Sequence, residues 1–476
     1  MSQWHGIKQF YGRSGGSNLK KYEFVEPKQA VYKYPDGTFE VVSLGNKTDT
    51  LTHFEMVCYL CANDTFSIEE VKANICRYYK YTDEPIDVIQ QVINLLIEKG
   101  LIVQTIPKKE LHKHAAFNHN LLRQLDSPVN KRTILSIADI EISITELCPF
   151  NCTYCSKKEN ESTKQYVALD RWKQIIEEAY SIGANSIKLS GGEPLHPKAI
   201  DDTFELVRHA KEVGYQRIVI LTSGFNLAEN IQRVVESGVT EISISYNMIS
   251  HYEEDRIRNQ YVEKHIKEIS RLLEYDIQLD LCCVVTQESL PLVEKVLNFA
   301  LENKFGCAHF YPIMPVGGAK SYWDTLKLSS EDLRQLMLRL EDKREALKDT
   351  INISAEQMYL HRNKVTNLGC EAVGYWIYFS EDGCVSTCAC GELATDNIKG
   401  DGMVSIWRNS EYFESIRNFK DNSACTRCAD RKYCVNNCYI RLTQATTQSL
   451  TYACPTCELL TSDNQREKRK EKKYEQ

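Results

Sequence analysis

From Ile137 to Ile313 the chain alternates short apolar strands with helical stretches, and this alternation restricts the fold more than any other feature. Strands are expected at 140–144, 187–190, 218–221, 241–246, 279–285 and 309–313, each set off by a stretch of helical period. Helices are expected at 169–182 and 199–213, stopped near Gly183 and Gly214. Strands joined through helices run parallel, so the sheet is expected to curl as a full or partial barrel. In such folds the chemistry sits at the C-terminal ends of the strands.

One of those ends carries three cysteines. Cys148, Cys152 and Cys155 follow the first strand with the spacing C-x3-C-x2-C. Three thiolates this close can cap three irons of a four-iron cluster and leave the fourth iron without a protein ligand. An iron left open is a place to bind and activate a small molecule. A zinc site or unrelated buried thiols are the alternatives. At the end of the next strand stands Gly191-Gly192-Glu193-Pro194.

Composition narrows the class. The chain has 476 residues, enough for two to four domains, and a net charge of −7, which argues against a nucleic-acid partner. No apolar run approaches the roughly 20 residues of a membrane span. Residues 1–20 are polar and Gly/Ser-rich, without the apolar core of a signal peptide. A cytoplasmic protein is expected. Nineteen cysteines are then expected to be ligands rather than disulfides. Of these, Cys58, Cys61, Cys76, Cys282, Cys283 and Cys307 sit in apolar helices or strands and read as buried structural thiols.

Ahead of the barrel, residues 22–105 predict a hairpin and three helices. Residues 30–34 and 39–42 flank the turn Pro35-Asp36-Gly37. Helices follow at 50–61, after the capping box Ser67-Ile68-Glu69-Glu70, and at 86–99, the last burying Val88, Ile89, Val92, Leu95 and Leu96. Leu101-Ile102-Val103 is expected to pair back as a short strand. This order reads as a winged helix. It resembles the recognition element of peptide-modifying enzymes, in which a precursor peptide adds as a strand on the hairpin edge beside the third helix. A generic winged helix is the alternative. Residues 1–21 are then a flexible N-terminus and 106–135 a linker.

The cysteine triad with Tyr154 before its last member, followed by the Gly-Gly-Glu-Pro turn, resembles the signature of the radical SAM superfamily. That resemblance implies that the open iron chelates the amino and carboxylate groups of S-adenosylmethionine, with Gly191, Gly192, Glu193 and Pro194 meeting the amino group. One-electron reduction then breaks the sulfonium bond, and the 5′-deoxyadenosyl radical takes hydrogen from an unactivated carbon. Further correspondences are Ser223, standing where the family's third strand has Asn, and Ser245 as a ribose or methionine contact. Arg258 stands near the carboxylate, and Met314 lies in the segment beside the adenine.

After a helical bridge over 331–364, cysteines crowd again within residues 365–460, a region expected to be a separate, loop-rich domain held together by metals. Cys370, Gly383 and Cys388, then Cys425, Cys428, Cys434 and Cys438, with Cys454 and Cys457 later, resemble the seven-cysteine SPASM extension. Zinc ribbons are the alternative. The resemblance assigns Cys370, Cys388 and Cys438 to a first auxiliary cluster, and Cys425, Cys428, Cys434 and Cys454 to a second, with Cys457 as the other candidate. Some relatives place a fourth ligand of the first cluster where this chain has Trp376. Cys384 and Cys390 are the nearby substitutes, and without either that cluster has an open iron. Residues 461–476 read as a charged tail.

The expectation is therefore an α/β fold. A partial (β/α)6 TIM-like barrel at 136–330 lies between an N-terminal winged-helix domain and a C-terminal Cys-rich iron–sulfur domain. The expected cofactors are three [4Fe-4S] clusters and S-adenosylmethionine. The expected partners are a precursor peptide and a one-electron reductant such as flavodoxin or ferredoxin, with no nucleic acid and no membrane. The expected reaction is a Cys thioether crosslink in that peptide. A carbon–carbon crosslink, a sulfatase-type formylglycine maturase and a zinc-stabilised peptide-binding adaptor are the other readings.

Overall fold

The computed structural model describes residues 21–24, 29–43, 48–62, 67–80, 86–105, 121–157, 166–247, 253–355, 374–391 and 393–417. It divides into two compact units, residues 1–27 with 54–115, and residues 28–53 with 116–476.

The first unit pairs β1 (Lys21–Phe24) antiparallel with β5 (Ile102–Thr105). Helices α1 (His53–Ala62), α2 (Ile68–Tyr79) and α3 (Ile86–Glu98) lie between them in sequence. Ser67 caps α2, its Oγ accepting from the Glu70 amide at 3.2 Å, which satisfies one of the helix's unpaired donors. The expected inward face of α3 needs correction. Ile89, Ile93 and Leu96 are buried, whereas Val88 and Leu95 are 44% and 37% exposed. The buried residues recur at i, i+4 and i+7, and Val88, Val92 and Leu95 repeat that interval one residue earlier, on a neighbouring stripe.

The hairpin belongs to the other unit. There β2 (Gln29–Lys33) and β3 (Phe39–Ser43) pair antiparallel. β4 (Thr48–Leu51) covers the outer side of β3, and β6 (Thr133–Ile134) covers that of β2. Both hairpin edges are therefore taken, and the sheet ends at β4 on one side. A peptide strand would meet partners already in place at Tyr32 and Lys33 of β2 and at residues 39–42 of β3.

The barrel strands are β7 (Asp139–Thr145), β8 (Ser186–Gly191), β9 (Arg217–Thr222), β10 (Glu241–Ser245), β11 (Gln278–Val285) and β12 (Cys307–Pro312). They lie parallel and in sequence order. Each covers its expected range to within about two residues. β13 (Asn352–Ser354) extends the sheet beside β12, and β14 (Trp376–Phe379) lies parallel to β7 on the other side, with β15 (Val385–Ser386) antiparallel to it. The α/β parallel-sheet expectation holds.

Alternation along the strands separates two environments. Ile140, Ile142, Ile187, Leu189, Ile218, Ile220, Ile242, Ile244, Leu279 and Leu281 belong to one apolar core with residues of the covering helices. Those helices include α4 (Leu169–Ser181), which buries Trp172 and Ile176, and α5 (Ile200–Val213), which buries Phe204 and Val207. Each such side chain contributes about 1.5–3 kcal/mol on leaving water. The intervening strand residues, among them Asp139, Glu141, Ser143, Ser186, Glu241, Ser243 and Asp280, are polar and equally buried. They line the inner face.

The region after the barrel is not set apart as expected. Its described part shares the barrel's sheet through β14, and its Ile398, Met403, Ile406, Trp407 and Phe413 join the barrel's core. The Trp407 indole donates to the Ser136 carbonyl at 3.0 Å. Among the described residues no helix is long and apolar enough to cross a membrane.

Candidate active site

Cys148, Cys152 and Cys155 leave the C-terminal end of β7 on one loop, and none is in a disulfide. The loop turns tightly, the Cys155 amide donating to the Cys152 carbonyl at 3.1 Å. Two glycine segments hold it. The Gly192 amide donates to the Thr145 carbonyl at 2.5 Å, and the Glu193 amide to the Leu147 carbonyl at 2.8 Å. A Cβ on Gly192 would stand 2.4 Å from the Leu147 carbonyl oxygen, so only glycine allows this approach. On the other side the Gly318 amide donates to the Cys155 carbonyl at 2.9 Å. A Cβ on Gly317 would lie 2.3 Å from that same oxygen.

Glu193 is fully buried. Its Oε1 accepts from the Leu195 amide at 3.0 Å and the Thr222 hydroxyl at 2.6 Å. Its Oε2 accepts from the Ser223 amide at 2.8 Å and also from the Ser223 hydroxyl. Burial raises its pKa, and these hydrogen bonds oppose the rise. Four donors occupy the carboxylate, so in this arrangement Glu193 ties the ends of β8 and β9 together. Ser223 is engaged with it.

Arg258 reaches the loop from helix α6 (Glu253–Lys264). Its guanidinium donates to the Tyr154 hydroxyl at 3.1 Å and lies 3.6 Å from the Cys152 sulfur. It is 5% exposed, so its positive charge is buried beside the loop. Asn247, not singled out from sequence, donates to Tyr154 at 2.8 Å and accepts from the Val284 amide at 2.6 Å. It follows β10 by two residues, and its contact with Tyr154 joins residues 93 apart, a pairing that no local pattern announces. Ser245 ends β10, beside Cys282 of β11.

Met314 and Val316 form a small buried cluster against Cys388 and Cys390. The segment after β12 thus touches the triad loop through Gly317 and Gly318, and the later cysteines through Met314. Cys388 and Cys390 are close enough to hydrogen-bond, which with burial pushes the Cys388 thiol well above its usual range. Cys384 is held elsewhere, its sulfur accepting from the Asn397 amide group at 3.3 Å. Cys370, Cys425, Cys428, Cys434, Cys438, Cys454 and Cys457 lie outside the described residues.

The triad fits an iron–sulfur cluster. Three thiols outside any disulfide share one loop, and glycine cradles brace that loop on two sides. Desolvation, with Glu193 and the other two sulfurs adding to it, pushes the Cys148 thiol up to about 12, so a metal ion rather than solvent pH would deprotonate it.

Residues 142–300, which span the triad, the glycine turn and Arg258, match the model of the radical SAM superfamily. The chain carries a radical SAM domain. The PqqA peptide cyclase of Bradyrhizobium diazoefficiens is 25% identical over 291 residues, covering 58% of this chain and 74% of that protein. The structure of Streptococcus suis SuiB bound to precursor peptide SuiA superposes with a TM-score of 0.61 at 14% identity, covering 92% of this chain and 99% of that one. That of anSMEcpe with bound AdoMet and the Cp18Cys peptide gives 0.50 at 16% identity, covering 67% and 94%. The two superpositions show a shared fold.

Proposed function

We propose that this radical SAM enzyme modifies a ribosomally made precursor peptide. The observation that carries the reading is the triad loop itself, clamped between Gly192 and Gly317 with the Arg258 guanidinium beside Cys152. Cys148, Cys152 and Cys155 would hold a [4Fe-4S] cluster. The cluster and S-adenosylmethionine together supply a hydrogen-abstracting radical. The backbone at Gly191 and Gly192 offers the methionine amino group its acceptors. Arg258 supplies positive charge for the methionine carboxylate, and Ser245 a hydroxyl for ribose. Glu193 and Ser223 hold this surface in shape.

A peptide substrate is supported by the relatives' names, PqqA peptide cyclase and SuiB with precursor peptide SuiA. It is also supported by α3, where Val88, Val92 and Leu95 offer one continuous apolar strip toward solvent, a surface suited to a leader segment. The sheet's outer strand β4 offers a second place for strand addition. Later cysteines would hold auxiliary clusters. Contact with Cys388 makes Cys390 the better fourth ligand for the first of them, ahead of Cys384.

The reaction expected is formation of a thioether, in which the radical would take the hydrogen of a peptide C–H, the Cys S–H would give up its proton, and the electron left over would pass to an iron–sulfur cluster as the C–S bond forms. Co-expression with whatever short Cys-bearing open reading frame is found beside its gene tests this. The peptide should become lighter by two hydrogens and lose one iodoacetamide-reactive thiol. The same mass loss with every thiol still reactive would favour a carbon–carbon crosslink. An unchanged peptide would contradict the reading.

A further inference from the structure

The three-cysteine loop occupies one end of the barrel. The opposite end of the same strands carries a second set of metal-ligand side chains. Asp280 is the third residue of β11, and Cys307 and His309 are the first and third of β12. Parallel register sets Asp280 directly beside Cys307, with His309 one inward step further along. One ligand atom from each lies within 4.8 Å of the others, and the His309 Nε2 is 3.2 Å from the Asp280 Oδ2. Asp280 and Cys307 are 2% and 3% exposed.

Three further observations point to a cation here. The first is charge. Asp139, Glu141, Glu241 and Asp280 are buried carboxylates on the inner face, and the inner-face cations near them are Arg217 and Lys188. Arg217 is already committed, gripping both oxygens of Glu241 at 2.7 and 2.6 Å. Buried charges need partners, and carboxylates are in excess. The second is unmet hydrogen-bonding capacity. The His309 Nδ1 is buried with no hydrogen-bond partner, and so is the hydroxyl of Ser354, which lies directly across from His309 on β13 and is itself 6% exposed. Buried polar atoms without partners beside a cluster of ligand atoms leave hydrogen-bonding capacity that water held by a bound ion would fill. The third is support behind the ligands. The Gln278 amide donates to the Asp280 Oδ1 at 2.8 Å, leaving Oδ2 turned toward His309. Orientation of a ligand carboxylate by a neighbouring donor is usual at metal sites.

We propose that Asp280, Cys307 and His309 form a divalent-metal site of the zinc type at the N-terminal ends of β11 and β12. One carboxylate, one thiolate and one imidazole make a mixed donor set suited to zinc, whereas magnesium and calcium call for oxygen alone. Three protein ligands leave a fourth position for water, with the Ser354 hydroxyl placed to bond it. The ion would offset the carboxylate excess and cross-brace β11, β12 and β13. This site is separate from the iron–sulfur ligands and stands whether or not the peptide is the substrate.

Zinc K-edge absorption on the cluster-loaded protein, incubated with zinc ion and desalted anaerobically, tests the site. One zinc per chain is expected, with one sulfur at about 2.3 Å and nitrogen or oxygen neighbours at about 2.0–2.1 Å. His309→Gln and Cys307→Ser should each lose that zinc while keeping the iron content of the parent. Absence of retained zinc in the parent protein overturns the proposal. So does an all-sulfur shell, which would place the zinc on cluster cysteines. The parent spectrum decides the matter even if a variant does not fold.

Discussion

The Glu193 carboxylate and the Thr222 hydroxyl meet at 2.6 Å across 29 residues of sequence, joining the ends of β8 and β9. Ser223 adds two more bonds to the same carboxylate. Glutamine at position 193 would turn an NH2 group toward donors that need an acceptor. Glu193→Gln is therefore expected to lower stability by about 2 kcal/mol or more, since hydrogen bonds to charged groups are worth about 1.5–3 kcal/mol each. Ser223→Ala keeps the backbone donor and should cost about 1 kcal/mol. Denaturant unfolding of the two variants checks the order.

Gly192 has no room for a methyl group, because the Leu147 carbonyl oxygen would lie 2.4 Å from it. Gly192→Ala must push the triad loop away from β8. The variant is expected to keep its far-ultraviolet circular dichroism and to form 5′-deoxyadenosine at least about tenfold more slowly, the effect of about 1.4 kcal/mol on a barrier. Parental rates would show that the loop does not depend on this clamp.

Arg258 places a buried cation 3.6 Å from the Cys152 sulfur. Removing it takes positive charge from beside a centre that must accept an electron. In Arg258→Met the midpoint potential of the triad's cluster is expected to fall by about 30–60 mV, on the order of 1 kcal/mol for one electron. A redox titration followed by electron paramagnetic resonance reads this shift, and Arg258→Lys should recover part of it.

Cys390 and Cys384 lie on opposite sides of the question of the auxiliary ligand. Cys390 adjoins Cys388, whereas Cys384 is bound to Asn397. Cys390→Ala is expected to reduce iron by up to one four-iron cluster per chain, and Cys384→Ala to leave it unchanged. Iron quantitation with Mössbauer spectroscopy distinguishes them. The reverse result would exchange their roles.

The exposed strip on α3 separates recognition from chemistry. Val88→Asp with Leu95→Asp should leave the fold intact, because both side chains already face solvent. Modification of a leader-bearing peptide is expected to fall at least about tenfold, while cleavage of S-adenosylmethionine stays at the parental level. Removing residues 1–105 outright would be a poorer test, since it also takes β2, β3 and β4 out of the unit that contains the barrel.

The barrel was legible in the sequence because short apolar strands alternate with helical stretches, two of them stopped at Gly183 and Gly214, all local signals. The triad and the glycine turn were legible for the same reason. Three things were not. On α3 the expected set finds Ile89 and Leu96 buried but Val88 and Leu95 exposed, because Val88, Ile89, Val92, Ile93, Leu95 and Leu96 offer two apolar faces and local periodicity does not say which meets the core. The hairpin's edges were taken to be open, because pairing with β6 joins residues about a hundred positions apart. Cys307 is buried, as its apolar strand predicts, but its proximity to Asp280 and His309 is not a local signal. Alternation in Cys307-Ala308-His309-Phe310 already set Cys307 and His309 on the face opposite Ala308 and Phe310, but Asp280 beside them comes from another strand.

The central claim is that Cys148, Cys152 and Cys155 support reductive cleavage of S-adenosylmethionine. Anaerobic, cluster-loaded protein should be mixed with S-adenosylmethionine and dithionite, and 5′-deoxyadenosine followed by liquid chromatography and mass spectrometry. The account predicts steady formation by the parent protein and none by the variant with all three cysteines changed to alanine. A parent protein carrying its iron yet forming no 5′-deoxyadenosine, or equal formation by the triple variant, would contradict it.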